Sequence, residues 1–97
     1  MSVRRRNGVN RGAIFEAGAV IATQEAMVQL EASGVFFMRL VARHVKGEWG
    51  DASPHLRAEN DRAVLSGGVV RSIYSIENYS IMVRTERDRS VTTLTLL

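Results

Sequence analysis

Beyond Gly68 the chain alternates. In VVRSIYSI, YSIMVRTE and VTTLTLL, β-branched and aromatic residues recur at every second position, the period of a strand with one buried face. Tyr79, Ile81, Val83 and Thr85 fall on one side of the middle segment, and Ser80, Met82, Arg84 and Glu86 on the other. Leu94 and Leu96 likewise oppose Thr93 and Thr95. The separators ENY and RDRS are short enough for hairpins. The C-terminal third therefore predicts a three-stranded antiparallel meander, with one face on a core and the other in water.

Upstream the period lengthens to that of a helix. Phe37, Leu40, Val41 and His44 stand at i, i+3, i+4 and i+7, and Phe36 widens that stripe. Arg39, Arg43 and Lys46 lie off it. An earlier, shorter helix is expected after Thr23, which suits an N-cap; Ala26, Met27 and Leu30 would be its apolar side, and Ser33–Gly34 its stop. A third begins at Ser53–Pro54, where serine caps free N–H groups and proline gives up a donor that had no partner. It runs to about Leu65, with Leu56, Asn60, Ala63 and Val64 on one face. A short strand is expected near Ala19–Ala22. The order β-α-α-α-β-β-β predicts an α+β fold, three helices packed on an antiparallel sheet.

Charge divides the chain. Its 97 residues carry a formal net charge of +3. Four of the 13 Lys/Arg precede Ala13 and none of the ten Asp/Glu does, so from Ala13 onward nine basic residues face ten acids, a net of −1. Residues 1–12 read as a flexible basic tail, and 13–97 as a single domain. Arg4, Arg5 and Arg6 in that tail give a weak, salt-sensitive attraction to nucleic acid or to an acidic partner. There is no cysteine, so no disulfide framework is expected. The longest apolar runs, such as Val35–Met38, span about four residues; a membrane helix needs roughly 18–20. A cytoplasmic protein with no membrane partner is the expectation.

The stretch HVKGEWGDASPHLRAEN gathers the residues that most resemble a site. His44 and His55 are the only imidazoles, and neither HxxxH nor HExxH spacing occurs. A metal centre, which needs three or four ligands, is not expected. His44 lies on the apolar stripe and should bond a backbone carbonyl; His55 should be exposed. Trp49 is either an interface anchor or a lid over the helix junction, its indole N–H satisfied locally. Asn60 is a polar group in an apolar stripe and should tie down the 47–52 loop. His44, Trp49, Asp51 and Asn60 are thus expected to form one structural cluster at a helix-to-helix corner. Glu86, Asp88 and Arg89 are the remaining enzyme candidates, but residues flanking a hairpin turn are more often solvated charges. No nucleophile elbow, P-loop or dinucleotide fingerprint is present. No catalytic residue and no cofactor is expected.

Four blocks, IATQEAMVQLEASG, RLVARHVKGEWGD, ENDRAVLSGGVVRSIYS and TERDRSVTTLTLL, stand in a familiar order. From about Ala17 to Leu97 the chain resembles a family of small "plasmid-related" proteins carried by plasmids, prophages and integrative elements, which typically read "lARHv.GdWGd" and "TEaDRSvTT". The family's hairpin "G.kiW.iTE" is replaced here by NYSIMVRTE, without tryptophan. The resemblance implies a mobile-element accessory protein. The function expected from it is non-enzymatic: binding and inhibiting a bacterial defence complex, CRISPR interference or restriction, by steric blocking. The alternative is a small DNA-associated regulator using the arginine arm. Trp49, Arg84, Arg87, Asp88 and Arg89, with Arg4, Arg5 and Arg6, are the expected partner contacts. A homodimer through an edge strand is a further possibility.

Overall fold

The computed structural model describes residues 12–97, so the tail bearing Arg4, Arg5 and Arg6 lies outside the described residues. The elements follow the expected order: β1 (Ala19–Ala22), α1 (Gln24–Ala32), α2 (Phe37–Val45), α3 (Pro54–Ser66), β2 (Val70–Ile76), β3 (Tyr79–Thr85) and β4 (Val91–Leu96). Among the described residues the fold is α+β, with three helices and one four-stranded sheet.

The caps are those the residue types dictate. Thr23 Oγ1 accepts from the Ala26 N–H at 3.2 Å, and Ser53 Oγ from the Leu56 N–H at 3.1 Å. Each satisfies one of the donors that a helix start leaves open. One residue departs from its expected place. Phe36 takes the N-cap position of α2 in extended backbone and is 61% exposed, rather than widening the apolar stripe. Helical phase starts only at Phe37, so the Phe36 side chain misses the buried face by one position.

The sheet order is β1-β4-β3-β2. β2, β3 and β4 form the antiparallel meander, with Ile76 opposite Tyr79 across the first turn. β1, however, pairs with β4 in parallel, Ala19 opposite Val91 and Ala22 opposite Leu94. The sheet is therefore mixed. Alternation along a strand specifies a buried face but not the direction of its neighbour, and β1 reaches β4 only after the chain has passed through all three helices. The two strands start in close contact. Gly18 has φ +67°, and a Cβ there would run into the carbonyls of Arg89 and Ser90; only glycine fits.

α1 packs against β4, α2 against β3 and α3 against β2. Between them lie Ala26, Leu30, Leu40, Val41, Val45, Tyr74, Ile81, Val83 and Leu94. A second cluster, Trp49, Ala52, Ala63 and Val70, sits under the corner between α2 and α3, and Phe15 borders both. The molecule measures 38 × 33 × 19 Å. A thickness of 19 Å holds one sheet and one helix layer. The opposite face of the sheet is open.

Candidate functional site

The corner cluster is an interior assembly, and its wiring differs from the expectation. His44 is fully buried and bonds no carbonyl. Its Nδ1 lies 2.6 Å from Ser72 Oγ and its Nε2 2.9 Å from Thr85 Oγ1. Thr85 Oγ1 is in turn 2.7 Å from Thr92 Oγ1, which donates to the Ala17 carbonyl at 2.7 Å. The directions follow from proton counting. Each hydroxyl has one hydrogen, and a carbonyl can only accept. Thr92 donates to Ala17, so Thr85 donates to Thr92. The His44 Nε2–H then donates to Thr85, and Ser72 donates to Nδ1. One chain of hydrogen bonds thus joins β2, α2, β3, β4 and the approach to β1.

A proton added at Nδ1 would face the hydroxyl of Ser72 donor to donor. Burial, and secondarily the guanidinium of Arg89, push the His44 pKa down to about 3. The ring packs edge-on against Phe15 and Trp49, with centroids 5.1 and 6.1 Å away.

Asn60 holds β2, not the 47–52 loop. Its amide donates to the Arg71 carbonyl at 2.7 Å, and its carbonyl accepts the Arg71 N–H at 3.0 Å. The loop is fixed otherwise: the Asp51 N–H donates to the Ile73 carbonyl at 2.7 Å, and the Ile73 N–H to the Trp49 carbonyl at 3.2 Å. Gly50 bridges to Ile73 at φ +69°, where a Cβ would strike the Ile73 carbonyl. The outer edge of β2 is therefore occupied at Arg71 and Ile73. The Asp51 side chain is exposed and takes no part in the cluster beyond this backbone bond. Every buried side-chain nitrogen and oxygen among the described residues has a partner.

The expected partner contacts separate. Trp49 is only 4% exposed, and its indole N–H donates to Asp61 Oδ1 at 3.1 Å; it is the lid, not a surface anchor. Arg89 turns inward from the β3–β4 connection with φ +62°. Its guanidinium donates to the carbonyls of Gly68 (2.6 Å), Ala63 (3.0 Å) and Glu86 (3.1 Å) and lies over the Phe15 ring. That is the work of a cation at a helix C-terminus. Arg87 and Asp88 are exposed in the turn. The Asp88 carboxylate accepts the Ser90 N–H at 3.0 Å, and hydrogen bonding from Ser90 holds its pKa below the ordinary value. Glu86 pairs with Arg84 at 2.9 Å, so the three enzyme candidates serve three separate structural contacts. His55 is exposed and pairs with Glu59 at 3.1 Å.

Among the described residues, Arg84 alone of the expected contacts stands on the open sheet face, and it brings company. Across the register, Ile21, Thr93, Arg84 and Arg71 form one row, and Thr95, Met82 and Ile73 the next. Arg71 and Arg84 are directly opposed. Beside them, Glu59, Arg62, Ala63 and Ser66 of α3 and Gly68–Val69 complete a groove of about 410 Å³. Arg62 and Arg71 were not legible as site residues. The only signal was the placement of Arg71 and Arg84 on the polar sides of adjacent strands, which required the hairpin register to interpret.

No family model matches the chain, and no curated protein and no solved structure matches it either.

Proposed function

We propose that this chain is a non-enzymatic binding module that inhibits a bacterial defence complex, CRISPR interference or restriction, by covering one of its working surfaces. The open sheet face supports this reading. It is one strand-width row after another of mixed character, Ile21, Thr93, Arg84 and Arg71 beside Thr95, Met82 and Ile73, with Ile21 53% exposed. Apolar patches edged by arginine suit a protein partner. The histidine, the tryptophan and the inward arginine hold the fold together, leaving this face to the partner. The class of partner comes from the resemblance of the ARHVKGEWGD and TERDRSVTT blocks to mobile-element proteins. No helix among the described residues is long and apolar enough to cross a membrane.

The test is affinity capture from bacterial lysate, with and without nuclease treatment, on the tagged protein, with Met82→Glu as the face variant. Recovery of a CRISPR or restriction complex by the wild type, reduced at least tenfold by Met82→Glu, is the expected result. Recovery of nucleic acid alone, lost on nuclease treatment, would replace this reading with that of a DNA-associated regulator using the arginine arm.

A further inference from the structure

The groove between α3 and the β2–β3 face has a charge of its own. Its lining carries Arg62, Arg71 and Arg84 against Glu59, and Glu86 pairs with Arg84 beside it, a local net of +1. The chain from Ala13 onward sums to −1, so the groove is a local positive site on a slightly negative body. Arg71 and Arg84 are cross-strand partners, and like charges directly opposed on a sheet are destabilising. Their carboxylates only partly offset this. Glu59 reaches Arg71 at 3.4 Å while also pairing with His55, and Glu86, two residues on along the chain, takes the Nε and Nη2 of Arg84 at 2.9 and 3.4 Å, leaving Nη1 for a ligand. Arg62 has no ion pair among the described residues. The carbonyl end of α3, which would repel an anion, is covered next to the groove by the Arg89 guanidinium on Ala63 and Gly68.

The backbone of β2 offers nothing further here. Asn60 and the 49–51 segment already hold the outward N–H and C=O groups of Arg71 and Ile73. An occupant would be bound by side chains, not by adding a strand. The pocket floor is small: Ala63, Gly68 and Val69.

We propose that this groove receives an acidic, carboxylate-bearing segment of the protein partner, gripped by the guanidinium forks of Arg62, Arg71 and Arg84. The inference rests on the protein-binding reading above and adds the chemistry of what is bound. Planar guanidinium forks match carboxylates in paired hydrogen bonds. A nucleic-acid backbone is a poorer fit: three arginines interleaved with Glu59 and Glu86 neutralise few phosphates, and duplex affinity depends on many. The cross-strand arginine pair then has a reason. Its repulsion in the free protein is relieved when the acidic segment lies between the two side chains.

The experiment uses ¹⁵N-labelled full-length protein, titrated by NMR with a decaglutamate peptide and, separately, with a 20-base-pair duplex. The expected result is saturable shifts of the Gly68, Val69, Arg71 and Arg84 amides and of the Nε–H signals of Arg62, Arg71 and Arg84. The double variant Arg62→Gln/Arg84→Gln should weaken peptide binding at least tenfold, while Arg39→Gln, an exposed arginine of α2, leaves it unchanged. The spectrum of each variant reports its folding directly. Shifts confined to residues 1–11, or equal affinity in the double variant, would overturn the proposal. So would duplex DNA moving the groove amides at lower concentration than the peptide. If the double variant still captures a defence complex from lysate at wild-type yield, the groove is not its site and the protein-binding reading survives alone.

Discussion

Ser72 and Arg71 are neighbours on β2, and Thr85 and Arg84 are neighbours on β3. One pair looks inward and joins the His44 hydrogen-bond chain; the other looks outward into the charged groove. The pleat alone separates them. Inside, polar groups must satisfy one another, because an unpaired buried donor or acceptor costs about 1–3 kcal/mol. The inner set closes on itself, from Ser72 through His44, Thr85 and Thr92 to the Ala17 carbonyl. Outside, water tolerates mismatch, so two arginines can oppose each other. Residues that look chemical are thus divided between an internal network and an exposed charged face by burial, not by type.

The sharpest way to break this contrast is to cut the inner chain. His44→Ala should cost about 3–5 kcal/mol, combining a buried cavity with two hydroxyls left without their partner. Urea denaturation measures it; a loss below about 1 kcal/mol would mean that the chain does not bind the layers together. Asn60→Ala comes next. It strips both Arg71 backbone bonds, for an expected loss of about 2–3 kcal/mol by the same measurement.

Acid probes the inner region without mutation. His44 titrates near 3 in the folded protein and 6.5 when unfolded. Between those values the unfolded state takes up a proton and the folded state does not. Stability from this group is intact above pH 6.5 and falls as pH drops, by about 1.4 kcal/mol per unit. From pH 6.5 to 5 the loss is about 2 kcal/mol. The His44 ring protons, followed by NMR, should hold their neutral shifts over that range. Titration of the folded ring near 6 would contradict the wiring derived above.

Arg89→Ala tests the residue that crossed from one category to the other. Removing the cation from the end of α3 should cost about 1 kcal/mol, visible as a lowered thermal midpoint. A surface contact residue would leave that midpoint alone. Arg84→Gln is the mirror case. Its exposed pair with Glu86 contributes little, so stability should move by less than about 0.5 kcal/mol. Its effect belongs in partner capture instead.

Much of the fold was written into local pattern. α1 and α3 begin at the caps Thr23 and Ser53, and the meander follows from alternation and short turns. The buried faces of β3 and β4 fall where period two puts them. The site was less legible, because its meaning is relational. TERDRSVTT reads as a charged turn, yet within it Thr85 meets His44 from a distant helix, Thr92 joins that bond through Thr85, and Arg89 reaches back to Ala63. ARHVKGEWGD reads as a structural corner, yet only the fold shows that His44 bonds hydroxyls on two strands and that Gly50 lets the chain touch β2. These two blocks are the ones that hold the layers together.

The sequence by itself determined the class of fold, the capped starts of α1 and α3, the hairpin order and the alternating faces of the strands. These depend on backbone preferences and on which side chains avoid water, and both act over a few residues. The tertiary structure decided the rest. It set β1 parallel to β4 and turned Arg89 inward. It gave His44 hydroxyl partners from two strands, and it lined up Arg62, Arg71 and Arg84 along one groove. Each of these is a meeting of segments distant in the chain, and the geometry of such a meeting is fixed only when the whole core closes.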